Sequence, residues 1–318
     1  MALLAAAIAF GICGAARAQD VYPAKAITIV IPSAAGTGQD AVARLIGQEL
    51  TKAWNQPVIV DNKPGAGTTI GTRFVAQAPK DGHTALLTFT AHVQNASFFP
   101  QRGYDPVKDF SGVSKVAVST TLLVISPDFP GRTVKEVVAH IKANPGKIFY
   151  GTYGAGTTGH IYGELFKREA GLDMQPVHYK GGAPLANDLV GGQVKIGLIA
   201  AGSALPLLRS GRLIPVAVAG SQRSKLLPNV PTLGESGYKG FDLDAWMALL
   251  VPAGTPRDRV NALSGEVGRI LKMPQIAQKI QELAFDTAGG TPEEMDRLLA
   301  EDIAKWLRLI TQFDIKPE

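Results

Sequence analysis

Four times in this chain a short apolar run ends in a loop of small residues, and the order of the elements around these loops limits the fold more than any other feature. The first instance, "ITIVIPSAAGTGQDAVARLIGQEL" at 27–50, joins an apolar run, a small-residue loop and an amphipathic helix. "PVIVDN" and "TIGTRFVAQA" then repeat the order, and "TALLTF" comes next. That series reads βαβαβ, which predicts a parallel sheet with helices on its faces.

"GVSKVAVSTTLLVISPDFP" is longer than an ordinary strand, and residues 120–126 within it are expected to cross to a second lobe. There the alternation resumes with "KIFYGT", "THIYGELFKREAG", "QPVHY", "APLANDLVGG", "VKIGLIA", "ALPLLRSG" and "LIPVAVAG". "FDLDAWMALLVPAG" reads as a returning strand, and helices are expected at 256–271 and 292–310, packed back on the first lobe. The expected class is therefore α/β in two lobes, with residues 19–121 and 247–318 forming lobe one and residues 122–246 lobe two. Two crossings between lobes make a hinge. Residues 91–95 read as a polar loop, and "LPNVPTLGESGYKG" as a turn-rich surface loop.

With 46% hydrophobic and 19% charged residues, the 318-residue chain can bury cores for two lobes. Its first 18 residues, "MALLAAAIAFGICGAARA", join an apolar segment to an Ala-Arg-Ala cleavage signal and are expected to be a secretory signal peptide. Cys13 lies inside that segment, so the mature chain would hold no thiol. Arg17 is the only charged residue removed, and the net charge falls from +5 to +4. Lys and Arg are scattered rather than clustered, which argues against nucleic acid and leaves a mild preference for small anions.

The four loops, "PSAAGTGQD", "NKPGAGTTIG", "GTYGAGTTGH" and "YKGGAP", stand where ligands sit in open α/β sheets, outside the carboxyl ends of strands. Glycine lets backbone N–H groups approach a ligand, and a helix starting at the loop adds free N–H groups and the positive end of its dipole. A carboxylate or phosphate could be held there without arginine. Thr37, Thr68, Thr157 and Thr158 add hydroxyls, Tyr153, His160, Tyr179 and Lys180 stand in reach, and Thr90 and His92 follow the third strand. Asp40 would repel an anion unless it caps backbone N–H groups or orients a water; alternatively it is only a helix-start charge.

A second meaning is open for the first loop, since Gly36, Gly38 and Ala41 fit G-x-G-x-x-A and Asp61 stands where a ribose-binding acid would, the pattern of an NAD-dependent oxidoreductase. No histidine pair has metal-ligand spacing and nothing reads G-x-S-x-G, so neither a metal nor a catalytic residue is expected. Trp54, Trp246 and Trp306 read as packing residues, with Trp246 a candidate for the cleft wall.

In "YPAKAITIVIP", "GTGQDAVARLI", "VIVDNKPGAGTTIGTRFVAQAPKDGHT", "YDPVKDFSGVS", "PGKIFYGTYGAGTTGHIYGELFKREAG", "VHYKGGAPLANDLVGGQVKIG", "LLPNVPTLGESGYKGF", "PAGTPRDRV" and "GGTPEEM", in that order, the chain resembles the periplasmic solute receptors of tripartite tricarboxylate transporters, the Bordetella uptake gene type. The resemblance covers nearly the whole mature chain. It implies a type II periplasmic binding protein that closes on a small carboxylate, uses no cofactor, docks as a monomer on a membrane permease and is not an enzyme. Carried over, it places ligand contacts at Ser33, Ala34, Ala35, Gly36, Thr37, Asp40, Gly65, Ala66, Gly67, Thr68, Thr157, Thr158 and Tyr179. Where the family has an aromatic after the proline and a Gly-Gly pair before the acid, this chain has Ser33 and Gly36-Thr37. The smaller loop suggests another ligand, such as terephthalate or protocatechuate.

Overall fold

The computed structural model describes residues 22–315, so the expected signal peptide and Cys13 lie outside the described residues. The chain begins with β1 (Ile27–Ile31), α1 (Gly38–Trp54), β2 (Val58–Asn62), α2 (Thr69–Ala76), β3 (Thr84–Phe89), α3 (Ala91–Phe98) and β4 (Phe110–Ser119). It continues through β5 (Thr121–Ile125), α4 (Val134–Ala143), β6 (Ile148–Thr152), α5 (Thr158–Ala170), β7 (Met174–His178), α6 (Gly182–Val190), β8 (Ile196–Ala200), α7 (Ala201–Arg209) and β9 (Ile214–Ala219). The last elements are β10 (Ala245–Pro252), α8 (Arg257–Leu271), α9 (Pro274–Glu282), β11 (Phe285–Thr287) and α10 (Pro292–Gln312).

Two sheets form, ordered β2-β1-β3-β10-β4-β11 and β7-β6-β8-β5-β9. The inner strands are near-continuous apolar runs because helices cover both faces: every residue of β5 is buried, while β2 and β7, at sheet edges, are largely half-exposed. In each sheet three strands run parallel, as the βαβ series requires. Neither sheet is wholly parallel, however. Strands β5 and β10, the first after each crossing, arrive from the other lobe and insert antiparallel between two strands of the receiving sheet. The first crossing narrows to Thr120, since 121–125 already pairs as β5.

One local reading changes. Residues 91–95, expected as a polar loop, begin helix α3. An exposed helix would show an apolar stripe, but α3 buries its polar side chains and so hides the periodicity. His92 Nε2 bonds the Pro106 carbonyl at 2.8 Å, and Asn95 Nδ2 donates to Thr68 Oγ1 at 2.9 Å. Helix α9 and the three-residue β11 were also not expected. Helices α8 and α10 pack on β4 as expected, and α10 is held behind β10 by a 2.7 Å bond from Trp246 Nε1 to the buried Asp302 carboxylate. Burial raises the Asp302 pKa, against the pull of that indole donor.

Candidate functional site

Two adjoining cavities, about 250 and 560 Å3, lie between the lobes and share Ala91, Gln94, Tyr153 and Thr157 on their walls. The smaller is an inner chamber with Phe89, Tyr153, Trp246, Met247 and Phe285 on its walls and Gln39, Thr90 and Thr158 as polar groups. The larger, outer one is lined by backbone-rich loops: Gly65, Gly67 and Thr68 from lobe one, and 154–157 and 179–181 from lobe two.

Helix starts converge on these cavities because the strands ending there lead directly into helices. Thr90, Gly181 and Ala200 precede the first residues of α3, α6 and α7, and Thr68 precedes α2. None of these four helices has a side-chain cap, but the first N–H of α7 already bonds the Thr120 carbonyl at 2.8 Å and that of α2 bonds the Ala66 carbonyl, which leaves the starts of α3 and α6 as the ones open to a ligand. Among the described residues no Asp or Glu lines either cavity, and Lys180 is the one charged residue on their walls. Dipole ends, hydroxyls and a lysine with no facing carboxylate make the cleft favourable to an anion.

The phenols of the cleft stay protonated near neutral pH. Tyr153 OH accepts the Gly159 N–H at 3.0 Å, and burial raises its pKa. Tyr179 is pushed up to about 12, by burial first and then by its 2.8 Å bond to the Asp188 carboxylate. Neither adds negative charge to the site; Tyr153 can donate its hydroxyl, whereas Tyr179 already donates its one proton to Asp188 and offers a ligand only an acceptor.

The lobes already touch across this cleft. Gln94 Nε2 of α3 donates to Thr158 Oγ1 of α5 at 3.2 Å, and a Cβ on Gly156 would come within 3.0 Å of the Phe98 ring. Phe99 stands closer still to Gly67, at 2.6 Å from such a Cβ, so the last residue of α3 and the one after it each face a glycine loop. A larger residue at either glycine would collide with them.

Of the residues expected in the site, the structure brings Gly65, Gly67, Thr68, Thr90, Tyr153, Thr157, Thr158, Tyr179 and Lys180 onto the cavity walls. The rest stand elsewhere. Ala34, Ala35 and Gly36 are exposed beside the cleft, and Ser33 Oγ and Thr37 Oγ1 contact each other at 3.2 Å. Ala66 lines a neighbouring groove with Ile70, Arg73 and Phe99. His92 is wholly buried on the inner face of α3, away from the cavities, and burial lowers its pKa to about 4. His160 sits beneath loop 154–157, where its Nδ1 accepts the Gly156 N–H at 3.1 Å. Its pKa is lowered to about 4, by burial and then by His178.

Asp40 belongs to the first loop's own scaffold. Its carboxylate accepts from Gly36 N–H, Arg44 Nε and Asn62 Nδ2, each at 3.0 Å, and the Arg44 guanidinium leads in holding it below the usual carboxylate range. Those bonds bear on the dinucleotide reading as well. The Gly36 N–H that would face a pyrophosphate is occupied, the start of α1 carries a buried carboxylate, and Asp61 pairs with Lys63 at 3.0 Å. Trp246 lines the chamber, as its place on the returning strand suggested. Gln94, Phe98 and Phe285 were missed: they come from a buried helix and an edge strand, with no small-residue loop to mark them.

A family model described as the tripartite tricarboxylate transporter family receptor matches residues 42–315. The chain is 33% identical, over 93% of its length and 89% of the relative's, to a protein encoded in the tcbD-tcbE intergenic region of Pseudomonas sp. strain P51. Among solved structures it is similar to Rpa4515 of R. palustris with adipate, at 32% identity and a TM-score of 0.80, covering 93% of this chain and 100% of that one. MatC of Rhodopseudomonas palustris with bound malate is similar at 30% identity and a TM-score of 0.75, over 91% of this chain and 100% of that one.

Proposed function

This chain belongs to the tripartite tricarboxylate transporter receptor family, and on that premise we propose that it captures one small carboxylate in the interlobe cleft and delivers it to a membrane permease. It is a periplasmic solute-binding receptor by family, and the apolar segment 1–18 is read as the signal that exports it. It works as a monomer, with no cofactor. The observation that carries the reading is the cleft lining: helix starts, threonines and Lys180 around a space that no described carboxylate faces. The acid lies on the backbone N–H groups of the outer loops, its body enters the inner chamber, and the lobes close over it about the two crossings at Thr120 and 220–244.

Of the di- or tricarboxylates that the family resemblance implies, the relatives with adipate and malate support a dicarboxylate. A second reading, an aromatic acid such as terephthalate or protocatechuate, is favoured by the chamber walls, where Phe89, Trp246 and Phe285 offer ring faces to a flat ligand. The small first loop no longer motivates it, because residues 33–37 do not line the cavities.

A thermal-shift screen with malate, adipate, terephthalate, protocatechuate and NAD separates these possibilities. An acid present at about 100 times its Kd stabilises the fold by roughly 2.7 kcal/mol, a clear rise in Tm. A rise with one acid class names the ligand, and small-angle scattering should then show the molecule contract. A rise with NAD and with none of the acids would overturn the carboxylate reading.

A further inference from the structure

We propose that His160 is a positioning residue for loop 154–157, and that the loop keeps its shape only while the His160 imidazole is neutral with Nδ1 as acceptor. The inference rests on the reading of the cleft as the carboxylate site, since this loop forms part of the outer cavity wall.

The hydrogen bonds fix the tautomer. Gly156 N–H can only donate, so Nδ1, 3.1 Å away, carries a lone pair and the ring proton is on Nε2. The other end of the loop is held in parallel. Thr152 Oγ1 donates to the Gly154 carbonyl at 3.1 Å and lies 3.1 Å from His178 Nδ1. The two imidazoles face each other, ring centres 4.3 Å apart, so one histidine braces Gly156 directly and the other braces Gly154 through Thr152.

Around His160 stand three ionisable groups: His178 from β7, and Glu164 and Lys167 from α5 itself. Glu164 and Lys167 pair at 2.9 Å, so each largely cancels the other's field at the imidazole. His160 is the third residue of α5, where the positive end of the dipole also opposes a cation. A proton on Nδ1 would turn the acceptor into a donor facing another donor. Gly156 would have to swing away, and the loop carrying Thr157 would lose the geometry in which it meets the ligand.

Two variants separate this role from simple packing. Asn places Oδ1 near the position of Nδ1 and does not titrate, whereas Leu fills the space without an acceptor. Adipate affinity by calorimetry, followed from pH 7 to pH 4, and amide hydrogen exchange at Gly156 are the readouts. Wild type should lose affinity as the pH falls toward about 4. Adipate's own carboxyls also take up protons in the lower part of this range, so the reading is the ratio of wild-type to H160N affinity at each pH. H160L should bind roughly tenfold more weakly at pH 7 and exchange Gly156 faster, H160N should recover most of both, and wild type should lose more affinity than H160N as the pH falls. Equal losses in H160L and H160N, or unchanged Gly156 protection in H160L, would overturn the proposal. If adipate binds none of the three proteins, adipate is not the ligand, the carboxylate reading is judged by the screen above, and Gly156 exchange alone decides the role of His160.

Discussion

The loops after the second strand of each sheet, β1 in lobe one and β6 in lobe two, have the same hydrogen-bonded shape but differ in the group that holds it. In lobe one, Thr37 caps α1, accepting the Asp40 N–H at 3.3 Å and donating to the Ala34 carbonyl at 3.1 Å. Thr157 caps α5 the same way, accepting the His160 N–H at 3.5 Å and donating to the Gly154 carbonyl at 2.7 Å. The third helical residue then reaches back to the glycine before the cap, as a carboxylate in one lobe and an imidazole in the other. Equal spacing thus builds equal turns, and the acceptor decides what each turn does. Asp40 carries a charge that Arg44 and Asn62 balance, which makes lobe one's turn a fixed support beside the cleft. The imidazole leaves lobe two's turn uncharged, and that turn lines the cleft.

Removing the acceptor in lobe one should have the largest effect. Asp40→Ala removes the acceptor that ties the Gly36 N–H, the Arg44 guanidinium and the Asn62 amide together, leaving Asn62 only its bond to the Ser33 carbonyl at 3.1 Å. A loss of about 2 kcal/mol is expected in urea unfolding. Asp40→Asn, which keeps an acceptor, should lose less. If alanine costs no more than a few tenths of a kcal/mol, the carboxylate does not hold the loop.

The glycines before the caps sharpen the comparison. Both have positive φ, 81° at Gly36 and 69° at Gly156, so alanine at either should cost about 1 kcal/mol of stability. Space differs: nothing lies within 4 Å of a Cβ on Gly36, whereas one on Gly156 meets Phe98 of the opposite lobe at 3.0 Å. Gly156→Ala should therefore also weaken ligand binding, by roughly tenfold for a lost cross-lobe fit, and Gly36→Ala should not. Equal affinities in the two variants would remove Phe98 from the closing contact.

How much of this was legible depends on whether a feature is local. Strand and helix periods read directly from 27–50 and 148–170, because each element's burial pattern lies within its own residues. Insertion of β5 and β10 was not legible, since pairing between strands far apart in the chain, as in Thr121 with Ala200 or Met247 with Phe89, leaves no local mark. The glycine loops at 65–68 and 154–157 announced the outer cavity, but those at 33–37 carry the same composition and stand aside from it. Composition alone does not separate a loop that lines the cleft from one that only holds its own helix. The neighbour across the cleft separates them, and for lobe two that neighbour is α3, the helix whose buried polar face concealed it.

The caps themselves should show smaller effects that again divide by lobe. Thr37→Val and Thr157→Val each remove one side-chain acceptor at a helix start, and each should cost about 1 kcal/mol. Only Thr157 lines the cavities, so only its variant should also bind the ligand less tightly. Calorimetry on the pair decides it, and weaker binding by Thr37→Val would bring the first loop back into the site.

The smallest expected difference is in the pH dependence of folding, and its sign comes from the two acceptors. Folded His160 titrates at about 4, below the 6.5 of a free imidazole, because burial and then His178 disfavour its charged form. Between those values the unfolded chain binds more protons than the folded one, so this group's contribution is complete above pH 6.5 and declines until about pH 4. Asp40, held below 3.8 chiefly by Arg44, stabilises the fold above 3.8 and loses that contribution only as the pH falls through its lower folded value. Acid should thus loosen the lobe-two turn first. In urea midpoints measured from pH 7 to pH 4, His160→Asn should decline less steeply than wild type, with a residual slope from His92, which titrates in the same window. Asp40→Asn should keep the wild-type slope there, since its titration lies below the range. Parallel curves for wild type and His160→Asn would mean that the imidazole does not carry the acid sensitivity of the second lobe.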